Sequence, residues 1–75
     1  MPDFTPAEIQ DARENPKPGD VWIFGDDKRQ IGYIGPRGRV SYKAFWNEEW
    51  LWTTSLSRKQ FRDWTRNATL LRRGA

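Results

Sequence analysis

Cysteine and histidine are both absent from this 75-residue chain, and together the two absences remove most of the chemistry available to a small protein. There is no disulfide framework, no Cys- or His-ligated zinc or iron–sulfur centre, no thiol nucleophile and no imidazole base. Long apolar runs are missing too. No stretch approaches the ~18 residues of a membrane span, and Met1-Pro2-Asp3-Phe4-Thr5 has no basic-then-apolar signal pattern. Carboxylate pairs are few: Asp26-Asp27 and Glu48-Glu49 are sequence neighbours, which point in different directions on a strand and are not spaced for shared acid–base work. Asp26 and Asp27 also offer too few oxygens for a dedicated divalent-cation loop. No glycine-rich phosphate cradle and no nucleophile–base set is present. These exclusions predict a non-enzymatic protein with no cofactor, no metal, no small-molecule substrate and no membrane partner. The lack of cysteine suits a reducing cytoplasm.

Aromatic residues are plentiful instead, eleven of them, five being Trp. A domain this small is marginal, because ordering costs roughly 1.5 kcal/mol per residue against about 25 cal/mol per Å² of apolar burial. Each aromatic side chain can bury ~150–250 Å². A core drawn from Trp22, Phe24, Tyr33, Tyr42, Phe45, Trp46, Trp50, Trp52, Phe61 and Trp64 needs neither disulfide nor metal. Five strands cannot cover two aromatic faces, so Trp22 and Trp64 are assigned to the core, and Trp46, Trp50 and Trp52 become candidates for an exposed surface.

Charge is divided along the chain. Residues 1–27 carry seven acids against two bases, and residues 28–75 eleven bases against three acids. The formal +3 thus separates into an acidic leader and a basic remainder, which can set a basic surface on one side of a fold. Nine of the thirteen bases are Arg, the better residue for phosphate forks and aromatic stacking. The leader could also fold back and neutralise that surface.

Thr5-Pro6-Ala7-Glu8 is a capping box with Pro at the first helical position, and Asn15-Pro16 ends the helix it starts. After the turn-forming Lys17-Pro18-Gly19-Asp20, Val21-Trp22-Ile23-Phe24 reads as a strand closed by Gly25-Asp26-Asp27. Gln30–Ile34 reads as a second strand and Gly35-Pro36-Arg37-Gly38 as a β-turn. From Arg39 to Phe45, the residues Val40, Tyr42 and Ala44 alternate with Arg39, Ser41 and Lys43, as in a half-buried strand. Trp46-Asn47-Glu48 makes a turn before a fourth strand over 49–54, in which Trp50 and Trp52 share a face. Ser57-Arg58-Lys59-Gln60 is a second capping box, with Leu56 and Phe61 placed as a hydrophobic staple. This second helix has Asn67 as its expected C-cap, and residues 68–73 return as a closing strand rather than as frayed helix.

The predicted fold is therefore mainly β with short helices, a five-stranded antiparallel SH3-like barrel with a short N-terminal helix and a helix before the last strand. An open antiparallel sheet with a helix across one face is the alternative. Residues 1–15 form the acidic leader with its helix, and residues 16–75 the barrel domain with its C-terminal helix and closing strand. Three segments carry a resemblance: Lys17-Pro18-Gly19-Asp20-Val21-Trp22, Gly38-Arg39-Val40 with Tyr42, and Thr54-Ser55-Leu56-Ser57 leading into Phe61, Trp64 and Ala68. Over about residues 16–71 this pattern resembles small uncharacterised phage or prophage proteins. The resemblance implies an SH3-like or KOW-like barrel and a phage setting in the host cytoplasm, and assigns no catalytic position.

Three constellations are candidate binding residues. Arg58, Arg62 and Arg66 recur at helical spacing with Lys59 beside them, which suits phosphates along a nucleic-acid backbone. A solvated helix face, with Asp63 pairing Lys59 and Arg66, accounts for the same pattern. Arg37, Arg39 and Lys43 of the Gly-rich hairpin would extend that basic surface. Trp46, Trp50 and Trp52 beside them could stack unpaired bases or anchor a protein partner. The expected partner is nucleic acid, DNA or RNA. A host protein taken through a Trp/Arg patch is the alternative, and a virion or assembly role the third.

Overall fold

Each capping box starts a helix where expected. In the computed structural model, which describes residues 4–53 and 55–74, the Thr5 hydroxyl accepts from the Glu8 N–H at 3.2 Å and the Glu8 carboxylate accepts from the Thr5 N–H at 3.0 Å, opening α1 (Pro6–Glu14). These bonds, the Thr5 backbone N–H foremost, hold the Glu8 carboxyl below its ordinary pKa. Ser57 and Gln60 repeat the exchange at 3.1 and 3.0 Å to open α2 (Arg58–Thr65). Asp3 of the leader and Thr54 of the expected fourth strand lie outside the described residues, as do Met1, Pro2 and Ala75.

Five strands, β1 (Val21–Phe24), β2 (Asp27–Ile34), β3 (Val40–Trp46), β4 (Glu49–Trp52) and β5 (Thr69–Arg72), form one antiparallel sheet in the order β4-β3-β2-β1-β5. The arrangement is consistent with a small SH3-like fold, and residues 69–72 do return as its closing strand. β2 begins three residues earlier than expected: Asp27 pairs with Phe24, so Gly25-Asp26 alone turns the chain, with Gly25 in the left-handed region at φ 59°. Arg66, not Asn67, is the C-cap of α2.

Strand alternation assigns the faces. Trp22, Arg29, Ile31, Val40, Tyr42 and Leu70 share the inner face through the pairs Trp22 with Arg29, Trp22 with Leu70, Ile31 with Tyr42 and Ile34 with Val40. Against that face pack Ala12 of α1 and Phe61 of α2, whose ring meets Trp22, 1% exposed, edge-on at 6.1 Å. Both helices thus serve one core, and the leader is part of it. Trp64 is half-buried beside this core, whereas Phe24 and Tyr33, counted among possible core residues, are exposed. Phe24 ends its strand at the Gly25-Asp26 turn, opposite Asp27; Tyr33 is turned outward by a bulge described below.

The leader is latched by Arg73. Its guanidinium donates to Asp20 at 2.5 Å, to Asp11 at 2.9 Å and to the Asn15 carbonyl at 2.9 Å. The fully buried Asp20 carboxylate also accepts from the backbone N–H groups of Lys17 at 2.9 Å and Gly74 at 2.6 Å. Asp20→Ala removes one of the three acceptors of the Arg73 guanidinium and leaves the Lys17 and Gly74 amides without their acceptor, a loss of about 3 kcal/mol; urea unfolding followed by Trp fluorescence measures it. The Asn47-Glu48 turn has both residues left-handed, at φ 51° and 65°, and Glu pays an L-residue penalty there. Glu48→Gly is expected to raise stability by up to about 1 kcal/mol in the same assay.

Candidate nucleic-acid interface

Among the described residues neither helix packs on the outer face of β2, β3 and β4, since both join the core on the other side. Antiparallel partners share a face, so Lys43 with Trp52 and Phe45 with Trp50 place both β4 tryptophans beside β3. Gln30 and Lys28 of β2 stand opposite Lys43 and Phe45. Uninterrupted alternation would send Tyr33 inward with Ile31. A bulge prevents this: Ile31 pairs with Tyr42 and Tyr33 with the next residue, Ser41, leaving Gly32 as the extra residue. Tyr33 therefore joins the outer face, 6.4 Å from Trp52 between ring centroids.

Gly32 also seats Trp52. A Cβ at position 32 would stand 2.3 Å from the Trp52 ring, so the indole lies across backbone that only glycine leaves open. At the far side Phe45 and Trp50 stack tilted at 5.0 Å. Lysines overlie both pairs, Lys43 Nζ 4.8 Å from the Trp52 ring and Lys28 Nζ 5.2 Å from Phe45. Tyr33 and Trp52 remain 56% and 58% exposed. Four aromatics and two cations thus form one surface from three strands.

The bases expected beside these aromatics divide. Arg39 has the strand parity of Ser41 and Lys43, and its Nε donates to the Ser55 hydroxyl at 2.7 Å. Arg37 is exposed at the tip of the tight turn Pro36–Gly38, in the left-handed region at φ 62°. Arg29 does not contribute to a basic surface. It is on the inner face, paired with Asp27 at 2.8 Å and stacked between Tyr42 at 4.6 Å and Trp64 at 4.3 Å.

The α2 cations do not form the single exposed stripe their spacing suggests. Arg58 is half-buried and donates to the Glu14 carbonyl at the C-terminal end of α1, where the helix dipole favours a cation. Arg66 stands 3.6 Å from Asp63. Lys59 and Arg62 are exposed without an ion pair among the described residues. With Arg13, Glu14, Asp63 and Arg66 they line a groove of about 430 Å³ between α1 and α2. The acidic leader therefore borders this groove, while its ion pair is with Arg73 at the chain end.

Trp46 stands apart, 73% exposed, in the strand row of Ala44 and opposite Glu49. Of the three doubtful tryptophans only Trp50 and Trp52 belong to the aromatic platform. Tyr33, Phe45 and Lys28 complete it; Tyr33 was counted from sequence only among possible core residues, and an isolated glycine inside a strand was the available signal for the bulge that recruits it. No group of three or more His, Cys, Asp or Glu placed to hold a metal occurs among the described residues, and no helix of the described residues is long and apolar enough to cross a membrane. No protein-family model, curated protein or solved structure matches this chain.

Gly32→Ala is expected to lift Trp52 off the sheet. Loss of the Tyr33–Trp52 nuclear Overhauser contacts, with unchanged far-ultraviolet circular dichroism, would show it; retained contacts would mean that the indole does not depend on the glycine.

Proposed function

We propose that the chain is a non-enzymatic binding module whose outer sheet face takes single-stranded nucleic acid. The observation that carries this reading is the assembly of Tyr33, Trp52, Phe45 and Trp50 with Lys28 and Lys43 on one exposed face. Unpaired bases offer π-faces to such rings irrespective of sequence. A duplex hides its bases in the stack, and a broad sheet face cannot enter its grooves. The lysines do not block the site, because an exposed cation–π contact is worth about 0.5–1 kcal/mol and base–aromatic stacking about 1–3 kcal/mol. An arriving base displaces the ammonium from the ring, and the ammonium then meets the phosphate next to that base. In this reading Arg39 and Lys43 act as expected from sequence, beside Trp50 and Trp52, and the host cytoplasm implied by the phage resemblance is the setting.

A protein partner is the second reading, and Trp46 favours it: the most exposed tryptophan lies off the platform, next to Glu48 and Glu49, where phosphate is repelled. Pull-down from a bacterial lysate treated with nuclease separates the two readings, since a protein partner survives the nuclease.

Titration with an oligothymidylate and with a duplex of equal length tests the main reading. The single strand is expected to bind with tryptophan quenching and the duplex far more weakly. Trp52→Ala should weaken single-strand binding by about 1–3 kcal/mol, and Lys43→Ala should flatten the logarithmic salt dependence by about 0.7. Equal affinity for both forms, or an unaffected Trp52→Ala, refutes the platform.

A further inference from the structure

We infer that a bound single strand does not end on the sheet but turns round the Pro36–Gly38 tip and lays its phosphates in the groove between α1 and α2. The inference rests on the platform reading. It divides the work, with bases stacked on one face and backbone phosphates held on another.

The sheet has two ends of opposite charge. The Gly25-Asp26 and Asn47-Glu48 turns lie at the same end and gather Asp26, Asp27, Glu48 and Glu49 there beside Lys28; of these acids only Asp27 is in an ion pair among the described residues, with Arg29. At the other end stand Arg37 and Arg39, with Tyr33 beside them: a Cβ at Gly35 would lie 3.7 Å from the Tyr33 ring and 3.9 Å from the Arg39 Cβ. A polyanion leaves such a face by its basic end.

Beyond the tip the positive surface continues. The space beside Gly38 is filled by Arg58, whose Cγ would lie 2.6 Å from an added Cβ, so the tip rests on the first turn of α2. Lys59 follows directly and Arg62 one turn later, both open to solvent and lining the groove. Arg13 projects from α1, fixed by the Gln10 side-chain carbonyl at 3.0 Å and the Thr65 carbonyl at 3.1 Å. The two acids of the groove are engaged, Glu14 accepting from the Gln10 amide at 3.0 Å and Asp63 facing Arg66. Arg13, Lys59, Arg62 and Arg66 outnumber them. No aromatic residue lines this groove, so it suits phosphates and not bases.

A path as long as the molecule is wide, 30 Å, corresponds to about nine nucleotides at the ~3.4 Å per nucleotide of a stacked strand. The test is a length series. The full chain is titrated with oligothymidylates of about four and about sixteen nucleotides, the span of site sizes seen on small β-barrels, over a range of salt. The short oligonucleotide is expected to bind through the platform alone. The long one should bind more tightly, with a salt dependence steeper by about 2, three further phosphates contributing ~0.7 each. The double variant Lys59→Glu with Arg62→Glu, on exposed positions, should remove that increment and leave the short oligonucleotide within twofold. Glu14→Gln should tighten only the long one. Equal salt slopes for both lengths, or a double variant that weakens both alike, would overturn the wrapped path and leave the platform standing. Failure of either oligonucleotide to bind or quench overturns the platform and the path with it.

Discussion

A five-stranded sheet has two faces, and this chain has helices enough for one. Ala12 of α1 and Phe61 of α2 join the same cluster as Trp22, Ile31, Val40 and Leu70, because both helices are short and their apolar stripes are narrow. Among the described residues no further element covers the opposite side. The outer face then meets solvent, and its aromatics pack on each other, on the lysines and on the open backbone at Gly32. Tyr33 with Trp52, and Phe45 with Trp50, are the outcome of that shortage. The half of the sheet that folding leaves bare is the surface on which the proposed binding rests.

Charge follows the same division. Arg29 and Arg73, two of the nine arginines, work inside the fold: Arg29 between Tyr42 and Trp64, and Arg73 on Asp20, Asp11 and the Asn15 carbonyl. Arg58 is spent on the end of α1. Removing these leaves a smaller positive surface than composition implies, yet a better placed one, with Lys28, Lys43, Arg39 and Arg37 on or beside the outer face and Lys59 and Arg62 at the helical groove. The leader contributes Asp11 to the Arg73 latch and Glu14 to the groove rim, and its described residues pack with the inner-face core, not on the aromatic platform.

Much of the fold was legible in the sequence because its signals are local. Thr5 with Glu8 and Ser57 with Gln60 determine where helices begin through hydrogen bonds spanning three residues. The alternation of Val40, Tyr42 and Ala44 against Ser41 and Lys43 reflects the pleat of one strand. The candidate site was legible in part. Trp50 and Trp52 could be put on one face from their spacing, and Lys43 on the wet face of its strand. That Lys43 stands opposite Trp52 depends on the register of β3 against β4, which no spacing within either strand contains.

By itself the sequence determined the elements, the exclusion of Cys and His chemistry and the separation of acidic from basic halves, since each follows from composition or from interactions a few residues long. Tertiary structure alone decided the membership of the site. The bulge at Gly32 reverses the facing of Tyr33, the absent Cβ there admits the Trp52 ring, and packing withdraws Arg29 and Arg58 from the surface. Each of these depends on groups brought together from distant positions, where pairing register and the space left by a neighbour, not local preference, set the direction of a side chain.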